Sequence, residues 1–503
     1  MSRIFSQYKI LFIAGSNTIS NVLVIVFNLI SVPIYLYFLG VESYGVIGFY
    51  ATLLATTSLL NFNIGAVMSR EIPRMRTLQM REGDINTVVY TLEVLFWILG
   101  IGIGLMIGVF SQSLSSWMNA ETLPKEVIQQ CIWIMGGVLA LNWPLQMYVG
   151  VFNGLNRQLD ASGFYLIYSV VRVFGVVPFF FIFKIDIIGY FIYQFVVSII
   201  FMIIQRIWVW KCLILEGEGF VYNFAAVKKV ASFLGQMSVV GMFTVVVSQL
   251  DKLFVSKMLP LSDLTYYTIA ASMCSGIIII GSTFNTYLLP KFTKYYFEKN
   301  LEDLRNNLHQ FVSISAFIVL PISVFLFIHS FEFVLIWTQN KLVAQETEIV
   351  LKYLLISTTL LSLMNIPVTV LTATGHTKFI VFQSIVMIIV GVPLLYLFIK
   401  EYQLLGAAYY GILINSIYFI MGYWFLSCKI SLGPIMKIIK PLIVILFKVG
   451  SAILIVIYVE NSYLKEISPL ILLIITGVLF FTLYGVFQIA YIPILLKILK
   501  GIK

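Results

Sequence analysis

The sequence predicts an all-α integral membrane protein with about 14 transmembrane helices. Of its 503 residues, 60% are hydrophobic and only 11% are charged. Soluble domains carry about 25% charged residues, and the apolar runs in this chain reach the ~20 residues that a bilayer-spanning helix needs. We expect the helices to form two parallel six-helix repeats, followed by a C-terminal helix pair.

Each predicted helix is an apolar run bounded by short loops, none of which is long enough to hold a soluble domain. The first run contains Asn17, Asn21 and Asn28 and is too long for a cleavable signal peptide. The predicted helices lie near residues 11–39, 43–68, 87–110, 128–152, 161–183, 187–209, 231–258, 264–290, 308–336, 349–372, 377–399, 403–426, 441–459 and 468–492.

The Lys and Arg residues indicate how these helices are oriented. If the N-terminus is cytoplasmic, most of the positive charges lie in cytoplasmic segments, as the positive-inside rule requires. The outer segments then hold Lys125, Lys184, Lys341, Lys400 and Lys465. Both termini are therefore predicted to be cytoplasmic. The net charge of +10 reflects this topology and indicates no nucleic-acid partner.

Four short motifs occur twice in the same order, about 220 residues apart, which indicates an internal repeat. Because each copy contains an even number of helices, the two copies share one orientation in the membrane. We therefore predict an N-terminal six-helix lobe at 1–215, a C-terminal six-helix lobe at 216–430, and an extra helix pair with a basic cytoplasmic tail at 431–503. The paired motifs are residues 70–86 and 291–307, 142–144 and 365–367, 154–157 and 374–377, and 186–189 and 403–406.

The two six-helix repeats and two sequence motifs resemble the MOP exporter superfamily. One motif is Phe38–Gly45 after the first helix, and the other is Ser248–Val255 in the seventh helix, followed by Tyr266. Within the superfamily the chain looks most like the Wzx-type polysaccharide (O-antigen) flippases, which have MATE-like lobes. Its last two helices resemble the additional pair of the lipid II flippase branch, where they help to form a lipid-facing groove.

This resemblance implies a flippase in the bacterial inner (plasma) membrane. Its cargo would be undecaprenyl-pyrophosphate-linked oligosaccharide, an O-antigen or capsule repeat unit, which moves from the cytoplasmic to the periplasmic leaflet by alternating access. The implied partners are the polyprenyl-pyrophosphate-linked glycan, membrane lipids, a polysaccharide polymerase and chain-length proteins. Two alternatives stay open: a multidrug or organic-cation exporter of the same superfamily, and a lipid II flippase.

Arg172 is the deepest charge, with about 16 Å of predicted helix on either side. At that depth its side chain must face protein or a water-filled cavity. A guanidinium binds phosphate oxygens in bidentate fashion, so we predict that Arg172 contacts pyrophosphate or acidic sugars in the cavity. The alternative is a tether between helices, in which Arg172 pairs with a carboxylate such as Asp251 or Glu93.

Asp251 and Lys252 are neighbours in the seventh helix, so their side chains point roughly 100° apart and do not simply neutralise each other. We predict that Ser248, Asp251 and Lys252 line the substrate cavity together with Asn28 of the first helix. The alternatives are hydrogen bonding to a neighbouring helix and, for Lys252, a side chain that reaches the outer interface. The two polar stripes that suggest a cavity wall are Thr244, Ser248, Lys252 and Ser256, and Asn17, Asn21, Asn28 and Ser31.

Glu93 lies about two turns into the third helix, a depth that suits either a protonatable carboxylate in ion coupling or a partner for a neighbouring Arg. Arg70 and Arg74 are predicted to attract an anionic headgroup at the cytoplasmic mouth, or else to serve topology and attraction to anionic lipid. The four cysteines and three histidines are scattered along the chain, so we predict no metal site and no cofactor.

An enzyme is the competing functional class. A membrane glycosyltransferase or polymerase would need a sizeable outer loop with catalytic residues. The longest outer loops, Ser111–Val127 and Trp337–Glu348, are short and contain no paired acid motif, so we predict no enzymatic activity. A multidrug exporter would favour carboxylates in its cavity, whereas the depth of Arg172 favours an anionic substrate.

Overall fold

The computed structural model describes residues 2–58, 64–77, 82–213, 222–223, 248–429, 436–464 and 467–488. All regular secondary structure in these ranges is helical, apart from an isolated bridge between Asn119 and Pro260. The same ranges contain 12 segments that are long and apolar enough to cross a membrane. The predicted all-α, multi-pass fold is therefore confirmed. The predicted second and seventh spans include residues 59–63 and 231–247, which lie outside the described ranges.

Two compact units divide the chain, Met1–Thr265 and Tyr266–Lys503. The predicted lobe boundaries after residues 215 and 430 come from the sequence repeat and stay predictions.

The described helices of the first unit are α1 (Ser2–Leu39), α2 (Val41–Ser58), α3 (Ile64–Thr77), α4 (Glu82–Val109), α5 (Ser111–Trp117), α6 (Lys125–Gly154), α7 (Gln158–Phe174), α8 (Val177–Phe183), α9 (Ile187–Leu213) and α10 (248–258). After α11 (Leu261–Ser282), which begins in the first unit, the second unit contains α12 (Asn285–Phe297), α13 (Leu301–Ile328), α14 (Ser330–Thr338), α15 (Lys341–Ala373), α16 (Thr377–Tyr402), α17 (Leu404–Lys429), α18 (Met436–Tyr463) and α19 (Pro469–Phe487).

In the first unit, α6 is the central helix and packs against α3, α4 and α9. Small residues let α4 and α6 approach closely: a Cβ atom on Gly104 would lie 2.6 Å from the carbonyl oxygen of Gly136. Close packing of small residues is a main source of helix association in lipid, where the hydrophobic effect does not drive it. The large side chains of Trp143, Tyr148 and Phe152 are buried on α6. This helix therefore provides the rigid frame of the first unit.

In the second unit, α15 is the central helix and packs against α12, α13, α14 and α17. The C-terminal pair α18 and α19 packs on α13. Tyr484 Oη donates to the carbonyl oxygen of Phe317 at 2.9 Å, and the rings of Phe325 and Phe480 stack at 5.4 Å. The extra helix pair is thus part of the core of the second unit.

The turns that follow α6 and α15 share one geometry. Asn156 and Gly375 both have positive φ, 59° and 78°. The next amide group, on Arg157 or His376, donates to the carbonyl oxygen five residues earlier, at 2.8 and 2.9 Å. This is the Schellman helix ending. It supports the repeat and aligns Asn156 with Gly375, one residue away from the predicted alignment of these turns.

Three predicted spans are broken where the apolar pattern predicted continuous helices. The predicted helix at 161–183 divides into α7 and α8, that at 264–290 into α11 and α12, and that at 308–336 into α13 and α14. Hydropathy does not reveal such breaks, because the residues on both sides of each break are still apolar.

Candidate functional site

The break between α7 and α8 lies within a single apolar span, Gln158–Phe183. α7 ends at Phe174, and Gly175 and Val176 form a turn. Pro178, in the first turn of α8, has no N–H to donate, and in a continuous helix its ring would clash with the carbonyl group of Phe174. Discontinuous membrane helices are the usual place for substrate sites in transporters.

Side chains from α1 and α9 satisfy the last carbonyl groups of α7. In a membrane these groups must find partners within the protein. The hydrogen bonds run from Tyr193 Oη to Val171 O at 2.7 Å, from Gln194 Nε2 to Arg172 O at 3.1 Å, and from Tyr35 Oη to Val173 O at 2.9 Å. Side chains of α1 and α9 therefore stabilise the break between α7 and α8.

Arg172 lies in the last turn of α7, where the helix dipole favours a cation. Its Nε donates to Gln194 Oε1 at 2.9 Å, and its Cζ lies 5.6 Å from the ring centroid of Tyr50. Gln194 is 1% exposed and is anchored by Ser198, whose Oγ donates to the Gln194 carbonyl oxygen at 2.7 Å. In the described part of the chain, the groups that contact the Arg172 guanidinium are thus neutral, and its two Nη groups keep donors for an anionic ligand.

The structure pairs Arg172 with the neutral amide of Gln194, where the alternative of a tether expected a carboxylate. Within the described part of the chain, Arg172 forms an ion pair with neither Asp251 nor Glu93. The physical reason is the position of Gln194 on α9, whose amide both accepts from the guanidinium and caps the backbone of the same residue. Arg172 and Gln194 are 22 residues apart in the sequence, and no sequence pattern links them.

Glu93 is 2% exposed and accepts three hydrogen bonds. Tyr148 Oη and Arg206 Nε donate to its Oε1 at 2.6 and 2.5 Å, and Trp210 Nε1 donates to its Oε2 at 2.9 Å. No sequence pattern links Glu93 to Tyr148, Arg206 or Trp210. Gln194 and Arg206 are about 18 Å apart along α9, so the Arg172 and Glu93 networks are separate. A role of Glu93 in ion coupling stays a prediction.

The predicted cavity residues of α10 form a local network. Lys252 N donates to Asp251 Oδ1 at 2.8 Å, and Lys252 Nζ lies 3.5 Å from Gln249 Oε1. Asp251 and Lys252 are half-buried, and Ser248 is exposed. Asn28 of α1 is also exposed. The structure places Arg172, Asn28 and α10 in the first unit, and their joint role in a cavity stays a prediction.

The two polar stripes are described only in part. Ser256 is buried and accepts a hydrogen bond from Trp117 Nε1 at 3.2 Å, so this member of the α10 stripe packs against α5. Thr244 and the side chains of Asn17 and Asn21 lie outside the described residues.

Arg70 and Arg74 flank a buried carboxylate on α3. Glu71 has a side chain that is 6% exposed and lies 3.2 Å from Arg74 Nη1 and 3.9 Å from Arg70 Nη1. Both Arg side chains are more than half exposed. Glu71 therefore offsets part of their positive charge and orients them, which the sequence analysis did not anticipate.

The motif Phe38–Gly45 forms a junction at the start of α2. The Glu42 carboxylate accepts hydrogen bonds from the backbone N–H groups of Glu121, Thr122 and Leu123, at 2.8 to 3.1 Å, and from the Thr122 hydroxyl at 2.6 Å. Burial by itself raises the pKa of Glu42, but these hydrogen bonds outweigh burial and hold the pKa below its ordinary value. Within this motif, Glu42 therefore has a structural role: it binds the backbone of residues 121–123.

Comparisons with known proteins agree with this architecture. The MatE family model matches residues 237–397. No curated protein matches the sequence. The chain is similar to the lipid II flippase MurJ in an inward closed conformation, with a TM-score of 0.74 and 15% identity over 95% of this chain and 99% of that chain.

Two further solved structures are transporters of the MOP superfamily. A multidrug resistance MATE family transporter in an inward-facing conformation has a TM-score of 0.68 and 15% identity, over 81% of this chain and 94% of that chain. A transporter from Pyrococcus furiosus, described by the reverse polarity of its binding pocket, has a TM-score of 0.55 and 14% identity, over 82% and 94%. At these identities the likeness is one of fold: this chain has the fold of these transporter structures.

Proposed function

We propose that this protein is a flippase for lipid-linked glycans. It moves undecaprenyl-pyrophosphate-linked oligosaccharide, an O-antigen or capsule repeat unit, from the cytoplasmic to the outer leaflet of the bacterial inner membrane. The observation that carries the proposal is Arg172, a cation at a broken membrane helix whose partners, Gln194 and Tyr50, are neutral. The fold shared with MurJ and MATE transporters supports transport by alternating access.

The chemistry of the cargo matches this site. Moving a pyrophosphate away from water is costly unless new hydrogen bonds replace those to the solvent. Arg172 supplies charge-assisted donors of planar geometry, which suit two phosphate oxygens at once. We propose Lys252, Ser248, Asp251 and Asn28 as further cavity residues. Arg70 and Arg74 would attract the headgroup at the cytoplasmic mouth.

The membrane potential favours the proposed direction. An inside-negative potential assists outward movement of an anion by ~2.3 kcal/mol per charge per 100 mV. Ion coupling through Glu93 would add to this driving force. Because Glu93 is buried and accepts hydrogen bonds from Tyr148, Arg206 and Trp210, a coupled ion would have to compete with these donors.

Two alternatives are each favoured by one observation. The likeness to MurJ over 95% of this chain favours a lipid II flippase. The likeness to a multidrug resistance transporter and the half-buried Asp251 favour an exporter of organic cations. The second alternative fits less well, because Glu93 is saturated by hydrogen bonds and Arg172 would repel a cation from the helix break.

Reconstitution in proteoliposomes tests the proposal. Three substrates are compared: a fluorescent undecaprenyl-pyrophosphate-linked oligosaccharide, lipid II and ethidium. We expect transfer of the first between leaflets, abolished by Arg172→Ala and partly kept by Arg172→Lys, which preserves charge without bidentate geometry. Lys184→Ala, at an exposed loop position, is the control and should transport normally. Transport of ethidium alone, or full activity of Arg172→Ala, would overturn the proposal.

The proposal also includes location and partners. We place the protein in the bacterial inner membrane with both termini in the cytoplasm, beside a polysaccharide polymerase and chain-length proteins. Reporter fusions at either terminus, active only in the cytoplasm or only in the periplasm, test the orientation. Deletion of the gene should cause lipid-linked glycan to accumulate in the cytoplasmic leaflet.

A further inference from the structure

A groove of about 630 Å³ lies between α4 and α9, on the first unit. Its walls are mostly apolar: Ile98 and Ile101 of α4 face Ile203 and Ile207 of α9, and all four side chains are exposed. Trp97 also lines it. The volume falls in the range of small-molecule sites. In a membrane protein, exposed aliphatic walls of this kind suit a hydrocarbon chain.

One end of the groove is charged. Glu93 and Arg206 both line it, but they differ in exposure, because the Glu93 side chain is 2% exposed and that of Arg206 is 43% exposed. The Glu93 carboxylate already accepts hydrogen bonds from Tyr148, Trp210 and Arg206. Arg206 uses Nε for this contact, and its guanidinium is the exposed member of the pair. The accessible member of the Glu93–Arg206 pair is therefore the Arg206 guanidinium, which is positively charged and has only hydrogen-bond donors.

The depth of Arg206 matches a lipid headgroup. Arg206 lies about 10 Å along the helix axis from the end of α9 at Leu213. The predicted orientation places that end at the cytoplasmic surface, and Lys211 adds a second positive charge in the last turn. A long basic side chain at this depth reaches the interface, while Ile98, Ile101 and Ile203 lie deeper, beside the acyl chains. Ile207 lies one position nearer the end of α9.

We infer that this groove binds an anionic phospholipid of the cytoplasmic leaflet, with the phosphate on Arg206 and an acyl chain along Ile98, Ile101, Ile203 and Ile207. The lipid phosphate adds charge-assisted hydrogen bonds to the exposed part of the Arg206 guanidinium.

The groove is separate from the proposed transport cavity. Arg172 bonds Gln194, whereas Arg206 bonds Glu93, and these two networks are about 18 Å apart along α9.

Lipid binding to the purified full-length protein tests the inference. After delipidation in detergent, bound lipid is counted by native mass spectrometry during titration with phosphatidylglycerol, phosphatidylcholine, undecaprenyl phosphate or inorganic phosphate. We expect phosphatidylglycerol to bind at least about tenfold more tightly than phosphatidylcholine, since the choline cation of phosphatidylcholine is repelled by Arg206 and Lys211. Brominated phosphatidylglycerol should quench Trp97, and the quenched fraction should fall in Trp97→Phe.

Two kinds of variant separate binding from folding. Arg206→Gln leaves Glu93 without its cation and risks misfolding, so the double variant Glu93→Gln/Arg206→Gln removes both charges together. Ile203→Trp fills the groove and leaves the ion pair intact. Its matched control is Ile192→Trp, at a similarly exposed position of α9 outside the groove.

We expect the double variant and Ile203→Trp to weaken phosphatidylglycerol binding about tenfold, and Ile192→Trp to leave it unchanged. Equal binding of phosphatidylcholine, or equal loss in Ile192→Trp, would overturn the inference. Preferential binding of undecaprenyl phosphate would also overturn it and would assign the groove to the cargo. Binding of inorganic phosphate alone would show an ion site without a lipid chain, which contradicts the role of the isoleucines.

Discussion

Arg172 and Gln194 bond each other twice: the guanidinium donates to the amide oxygen at 2.9 Å, and the amide nitrogen donates to the Arg172 carbonyl oxygen at 3.1 Å. One buried neutral side chain therefore holds both the charge and the broken backbone of the fifth span. Among the residues that the structure describes, Arg172 has no carboxylate partner, which is the property that the proposed phosphate site needs.

The first prediction concerns that neutrality. Gln194→Glu keeps the size of the side chain and places a carboxylate beside Arg172, but it removes the amide N–H that donates to the Arg172 carbonyl oxygen. We expect a lower melting temperature from the lost hydrogen bond. We expect glycan transport by the folded protein to fall at least about tenfold, because an ion pair competes with the phosphate for the guanidinium. Transport in proteoliposomes and the melting temperature are measured together. Normal transport by this variant would show that the free charge of Arg172 is not used.

The second prediction concerns the helix break. A Cβ atom at Gly175 would collide with Tyr193 Oη and with the carbonyl oxygen of Val171. We expect Gly175→Ala to destabilise the protein by about 1–3 kcal/mol through overpacking. Gly163→Ala, on the same helix with open space around it, is the matched control. Equal melting temperatures for the two variants would contradict the packing of Tyr193 against the break.

The third prediction concerns Glu42. Because its pKa is lowered in the folded protein, its stabilising effect is present above the ordinary pKa of the carboxyl group and is lost as the pH falls through the lowered value. We expect Glu42→Gln to lower the melting temperature by a few degrees at pH 7 and to have less effect near pH 3. Glu121→Gln, an exposed change in the same loop, should have little effect at either pH.

The fourth prediction concerns His329, which is 1% exposed between α13 and α14. Burial lowers the pKa of His329 to about 4. An unfolded His takes up a proton near pH 6.5, so stability is full above that pH and falls as the pH drops from about 6.5 to about 4, by up to about 1.4 kcal/mol per pH unit. His329→Gln should flatten the melting temperature over this range.

Two further variants test the assignment to His329. His376→Gln, at a half-exposed position, should leave the pH dependence unchanged. Glu460 Oε2 lies 4.0 Å from His329 Nδ1 and favours the protonated ring. We therefore expect Glu460→Gln to steepen the loss of stability between pH 6.5 and pH 4. A wild-type protein whose melting temperature is constant over this range would contradict the burial of a neutral His329.

The sequence by itself determined the all-α multi-pass fold, the approximate spans and the depth of Arg172. The thickness of the bilayer sets the length of a membrane-spanning helix, so each span is visible in the sequence as an apolar run of that length. The repeated turns were also visible, although their alignment was one residue off. The break at Gly175 could have been suspected from Pro178, since proline ends a helix four residues earlier.

The partners of the buried charges were decided by the tertiary structure. Glu93 meets Arg206 across 113 residues and Trp210 across 117 residues, and Arg172 meets the neutral Gln194 instead of a carboxylate. Hydropathy and spacing fix how deep a charge lies, but the rotation of each helix about its axis fixes which charge it faces. That rotation comes from close packing, such as the contact of Gly104 with Gly136, and packing joins residues that are distant in sequence.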